Sequence, residues 1–194
     1  MSKKGLILIV SGPSGCGKGT VLHEVLGSRE DVYYSISATT RAPRPGEENG
    51  VHYHFITKQD FEKLIAEDAM LEHAEYCGNY YGTPKQPILD HYAAGDVVIL
   101  EIEVQGAKQV MEKLPQAVSL FIAPPDLEVL EHRLRKRGTE EEGTIQKRLA
   151  QAKEELTHLS DYDYVIVNAA LEDAVDDLQA ILRAERCRTE KCCK

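Results

Sequence analysis

Short runs of apolar, β-rich residues punctuate the chain at Leu6–Val10, Val32–Ser37, Val97–Leu100, Val118–Ile122 and Val165–Val167. Most carry no polar alternation, which predicts strands buried on both faces and hence a parallel sheet. Between them the apolar spacing switches to that of helices, as in Leu127, Leu130, Leu134 and again in Leu171, Val175, Leu178, Leu182. Each such stripe can lie against a sheet. Strands alternating with helices predict an α/β winding.

Two intervals break the rhythm. From Ser37 to about Ala94, Val51, Tyr53 and Phe55 alternate with His52 and His54, predicting a half-exposed strand, and Thr57 is placed to cap a helix running through Leu64. This interval reads as an inserted subdomain, residues 37–94, between core segments 1–36 and 95–186. The second, about 137–147, is polar, contains Gly138 and Gly143, and leads into apolar spacing at Ile145, Leu149, Ala152, Leu156 and Leu159. It predicts a mobile lid. The tail 187–194 is charged, lacks an apolar stripe and is expected to fray.

A length of 194 residues fits one domain with an insertion. The charge balance, 23 basic against 32 acidic residues, argues against a nucleic-acid polymer as partner and requires any phosphate to be met locally. No run approaches the roughly 20 apolar residues that span a bilayer, and the N-terminus has no signal-peptide pattern, so no membrane partner and a cytoplasmic location are expected. The five cysteines, Cys16, Cys77, Cys187, Cys192 and Cys193, are odd in number and read as reduced thiols. No histidine lies near the last three, so no structural zinc is expected there.

Directly after the first predicted strand comes Ser11-Gly12-Pro13-Ser14-Gly15-Cys16-Gly17-Lys18-Gly19-Thr20, followed by helix-compatible Val21, Leu22, Val25 and Leu26. Glycines let backbone N–H groups converge on phosphate oxygens, the helix start adds positive potential, and Lys18 adds a mobile cation. Strand, loop and helix together predict a P-loop that holds a nucleoside triphosphate. Gly19 stands where the pattern has a magnesium-binding Ser or Thr, and the hydroxyl comes one place later at Thr20. Direct magnesium ligation by the loop is therefore not expected. Cys16 is read as a spacer, with an activated thiol as the alternative.

Further on, Ser37-Ala38-Thr39-Thr40-Arg41-Ala42-Pro43-Arg44 stiffens two arginines with proline, a suitable grip for a dianionic phosphate. With Asn49-Gly50 before Tyr53, then Glu72, Gly78-Asn79-Tyr80-Tyr81-Gly82-Thr83, Glu101-Ile102-Glu103-Val104-Gln105-Gly106 and Arg137-Gly138-Thr139, the chain resembles the guanylate kinase family over nearly its whole length. The resemblance implies a P-loop fold with a mostly parallel sheet, a GMP-binding insertion and a lid, and transfer of a phosphoryl group from ATP to GMP and dGMP.

The same resemblance implies GMP phosphate contacts from Ser37, Arg41, Arg44, Tyr53 and Tyr81, and base reading by Glu72, Thr83 and Glu103. ATP would be held by Gly12, Pro13, Ser14, Gly15, Cys16, Gly17, Lys18, Gly19, Thr20, Arg133 and Asn168, the last being either an adenine-side contact or a cap for the next helix. Lys18, Arg44, Arg137 and Arg148 are the expected catalytic cations. Magnesium is the expected cofactor, with Glu101 as its carboxylate, acting directly or through water. Guanine chemistry agrees: its N1–H and exocyclic amine can both donate to a carboxylate, whereas adenine N1 accepts. Glu101 and Glu103, two apart at a strand end, are expected on one face at the carboxyl edge of the sheet. The alternatives at this stage are a phosphopeptide-binding module of the same fold and a kinase for another nucleoside monophosphate. Neither a monomer nor an oligomer is implied.

Overall fold

The computed structural model describes residues 5–27, 29–76, 78–136 and 142–188. Its first elements are β1 (Leu6–Ser11), α1 (Lys18–Leu26), β2 (Val32–Tyr34), β3 (Ala38–Thr39), β4 (His54–Phe55) and α2 (Lys58–Ala66). Then come β5 (Met70–Tyr76), β6 (Asn79–Pro84), α3 (Lys85–Ala94), β7 (Val97–Glu101) and α4 (Val104–Lys113). The chain ends with β8 (Val118–Ala123), α5 (Leu127–Lys136), α6 (Glu142–Leu156), β9 (Tyr164–Val167) and α7 (Leu171–Arg186).

Five parallel strands form the main sheet in the order β2-β7-β1-β8-β9. Every residue of β1 is buried, and the two-residue period of a strand divides its side chains between two cores. Leu6, Leu8 and Val10 pack with Val21, Leu22 and Val25 of α1 and Leu178 and Leu182 of α7. Ile7 and Ile9 face the other way, toward Ile88 of α3 and Val104, Ala107 and Val110 of α4. Each aliphatic side chain so buried contributes about 1.5–3 kcal/mol relative to exposure. The expected doubly covered parallel sheet is thus present. At the edge it fails: Val165 and Val167 of β9 are 44% and 51% exposed, because an apolar run does not reveal which strand lacks a neighbour.

The insertion builds a second sheet in the order β4-β3-β6-β5, antiparallel except between β3 and β4. Phe61 of α2 is fully buried there, 5.4 Å from the Tyr80 ring. Thr57 caps α2 as expected, its hydroxyl accepting from Asp60 N at 3.1 Å. The half-exposed strand expected over Val51–Phe55 shrinks to His54–Phe55. Residues 51 and 52 turn back on Glu48 O through their N–H groups, leaving Val51 59% exposed. Ile88 joins the main core, so by packing α3 belongs with the core rather than with the insertion.

Leu130 and Leu134 of α5 pack against Ile145, Leu149 and Ala152 of α6 in a separate cluster. α6 starts at Glu142, so residues 142–147 of the expected lid are helical. Residues 137–141, Arg137 among them, lie outside the described residues, as do Cys77, Cys192 and Cys193. Among the described residues no helix is long and apolar enough to cross a membrane.

Candidate active site

Two adjoining cavities open at the carboxyl edge of the main sheet. One of about 280 Å³ is walled by Glu72, Tyr81 and Gly106, the other of about 480 Å³ by Gly12, Ser14, Lys18 and Arg148. Ser37, Tyr53, Glu101, Ile102 and Glu103 line both. Of the residues expected from the loop, the insertion and the end of β7, Gly12, Ser14, Lys18, Ser37, Tyr53, Glu72, Tyr81, Glu101 and Glu103 meet at this continuous space, whereas Arg41, Arg44 and Thr83 line neither cavity.

The loop between β1 and α1 ends at Gly17, whose φ of +95 lies in the left-handed region. A Cβ there would fall 2.4 Å from Nδ2 of Asn168, so close approach and backbone conformation both demand glycine. Lys18 Nζ folds back onto the carbonyl of Gly12 and lies 3.3 Å from that of Pro13. Cys16 is buried in the main core, and burial pushes its thiol above the ordinary range, against the activated-thiol alternative. Gly19 and Thr20 are exposed at the start of α1.

Arg133 and Asn168 stand behind this loop. Asn168 Nδ2 donates to the Cys16 carbonyl at 2.8 Å, and Arg133 reaches the same carbonyl at 3.3 Å and Asn168 O at 2.9 Å. Asn168 is no helix cap, because the cap position of α7 is Ala170. From the other side, Arg148 of α6 donates to the Ser14 hydroxyl.

Glu72 is only 6% exposed, and its Oε1 accepts a 2.7 Å bond from Thr83 Oγ1. Burial, with a further contribution from nearby Glu103, pushes its carboxyl above the ordinary range, and the Thr83 bond opposes this. Gly106 makes room for it: a Cβ at that position would lie 2.7 Å from Oε2. Glu103 is not on β7, which ends at Glu101. It occupies the N-cap position of α4, and reaches the same cavities from there.

Arg41 grips Glu47 with both guanidinium nitrogens at 2.9 Å, and Glu47 also accepts from Arg44 N at 2.7 Å. The Arg41 guanidinium and then the Arg44 N–H hold the Glu47 carboxyl down at about 2. Arg41 lies 5.6 Å from the Tyr53 ring centre, and Tyr53 meets Tyr81 edge-on at 6.1 Å. The Arg44 side chain is exposed and lines neither cavity.

Four residues of this region were not singled out from the sequence: Glu47, Gly106, Tyr34 and Glu155. Tyr34, 40% exposed, donates its hydroxyl to Glu101 Oε2. Glu155 of α6 lines the loop-side cavity, accepts from Gln151 at 2.8 Å and is raised chiefly by burial. Glu47 had a signal in the sequence, a carboxylate three places after Arg44 across a Pro-Gly turn.

The guanylate kinase family model matches residues 4–185. The guanylate kinase of Desulfitobacterium hafniense is 52% identical over 187 residues, covering 96% of this chain and 94% of that protein. That of Carboxydothermus hydrogenoformans is 52% identical over 188 residues, with 97% and 92% covered. Among solved structures, guanylate kinase from Anaplasma phagocytophilum superposes with a TM-score of 0.76 at 36% identity, covering 97% of this chain and 90% of its own. With a match that runs almost end to end and carries the loop, the insertion and the carboxylate wall together, the chain belongs to the guanylate kinase family.

Proposed function

We propose that this chain transfers the terminal phosphoryl group of ATP to GMP, giving ADP and GDP, with the loop-side cavity holding the ATP phosphates and the carboxylate-walled cavity holding guanine. The observation that carries the reading is the buried, Thr83-bonded Glu72 facing a cavity that shares five wall residues with the P-loop cavity. A buried carboxylate accepts from both N1–H and the exocyclic amine of guanine. Against adenine it would stand unpaired, and a polar site rejects an analogue lacking its hydrogen bonds by roughly 10⁴-fold.

GMP already presents an oxyanion, so no general base is required. The obstacle is repulsion between two anionic phosphates. Lys18 and Arg148 on the loop side, and Arg44 and Arg137 from the insertion and the lid, would gather charge on the transferring group. Ser37, Arg41, Tyr53 and Tyr81 would seat the GMP phosphate, and Arg133 and Asn168 would act on ATP by holding the loop from behind. Lid and insertion would close over both substrates and exclude water. Scattering curves that do not change on adding a bisubstrate analogue would contradict that closure.

Magnesium fits this donor set. The ion takes oxygen ligands and keeps several waters, and Glu101 brings a carboxylate to the cavity that Lys18 also lines. When bound, it would neutralise charge on the ATP phosphates. A coupled assay with ATP, GMP and magnesium tests the function: ADP and GDP should form in equal amounts, and their absence would overturn the proposal.

A further inference from the structure

We infer that Tyr34 is a positioning residue for Glu101 and thereby sets how much magnesium strengthens nucleotide binding in the loop-side cavity. The inference rests on the reading of Glu101 as the magnesium-associated carboxylate. Nothing in the sequence motifs assigns Tyr34 a role.

The geometry begins in the main sheet. β2 pairs with β7 in parallel, with Tyr34 opposite Ile99. The next residue, Ser35, donates its N–H to Ile99 O at 2.9 Å, so the backbone beneath the phenol is held by the ladder. Glu101 lies two places beyond Ile99, hence on the same face of the sheet as Tyr34. The phenol hydroxyl then closes on Glu101 Oε2, linking residues 67 apart in sequence. Both side chains line the cavity of Lys18 and Gly12.

A carboxylate at the mouth of an open cavity samples several rotamers, and a bond from a neutral donor to an ionised acceptor is strong enough to select one. With Oε2 taken by Tyr34, Oε1 is presented to the cation or to its hydration water. Groups that orient a metal's ligand in this way govern affinity through the ligand, commonly by about tenfold or more. Phe at position 34 keeps the ring and the strand pairing and removes only the hydroxyl.

Titration calorimetry on wild type, Tyr34→Phe and Glu101→Gln measures the dissociation constant of ADP with and without magnesium. The ratio of the two constants reports what the ion adds. Both variants should reduce that ratio, Tyr34→Phe by about tenfold, while metal-free ADP binds Tyr34→Phe as it binds wild type. The magnesium concentration for half-maximal velocity should rise in parallel. A reduced ratio in Glu101→Gln with a wild-type ratio in Tyr34→Phe would overturn the inference and leave Glu101 in its role. Wild-type ratios in both would remove Glu101 from that role and the inference with it. A Tyr34→Phe variant that loses only thermal stability or metal-free ADP affinity would reduce Tyr34 to packing and also overturn it.

Discussion

Thr83 donates a 2.7 Å hydrogen bond to Glu72, its register partner across the β5–β6 ladder, so the buried carboxylate proposed to read guanine is fixed from within the sheet that carries it. Glu72→Gln keeps the shape and an oxygen for Thr83 but turns one acceptor toward guanine into a donor. The loss expected in kcat/KM for GMP is roughly 1–3 kcal/mol. Steady-state kinetics with GMP as the varied substrate measures it, and an unchanged value would move base reading elsewhere.

The same carboxylate gives a pH prediction with opposite signs for stability and binding. A carboxyl raised by burial binds its proton more tightly in the folded than in the unfolded chain. Its burial therefore costs most above the raised value, and that cost disappears as pH falls to the ordinary carboxylate range. Glu72→Gln should exceed wild type in thermal midpoint at neutral pH, by a margin that shrinks toward acid. GMP binding by wild type should weaken over that same acid interval, because the protonated carboxyl has lost an acceptor. Unfolding and GMP titrations at several pH values measure both.

Gly106→Ala sets a methyl group 2.7 Å from Glu72 Oε2. Either the carboxylate turns away from the cavity or α4 shifts. Overpacking of this kind costs about 1–3 kcal/mol. The KM for GMP should rise while the KM for ATP stays near wild type, since the clash lies at the carboxylate-walled cavity.

Lys18→Ala removes the mobile cation of the loop without touching either core cluster. kcat should fall by roughly 10²–10³-fold or more, with an unchanged unfolding midpoint. A mild effect would clear Lys18 of a part in stabilising the transferring group.

Asn168→Ala strips the Cys16 carbonyl of its 2.8 Å donor and, among the described residues, leaves the 3.3 Å contact from Arg133. Under-satisfying this buried group costs about 1–3 kcal/mol. Because the carbonyl belongs to the loop, the KM for ATP should rise together with the loss of stability measured by denaturant unfolding. A loss of stability alone would make Asn168 a core residue without consequence for the nucleotide.

The central strands were legible because burial on both faces leaves no polar alternation, as in Leu6–Val10 and Val97–Leu100. The edge position of Val165 and Val167 was not, since it depends on strand order. The turn after Gly50 cut short a strand that alternation alone extended back to Val51. At the site, the glycine-rich loop between β1 and α1 was legible from local spacing, whereas the pairing of Arg41 with Glu47 was not read from it. Gly106 beneath Glu72, Tyr34 on Glu101 and Asn168 behind Cys16 join residues 34, 67 and 152 positions apart, and only the folded sheet makes them neighbours.

If a buried carboxylate beside the P-loop chooses guanine, GMP and AMP must differ sharply in kcat/KM at fixed magnesium and ATP. GMP should be preferred by roughly 10⁴-fold. Equal turnover of the two nucleotides would contradict that choice.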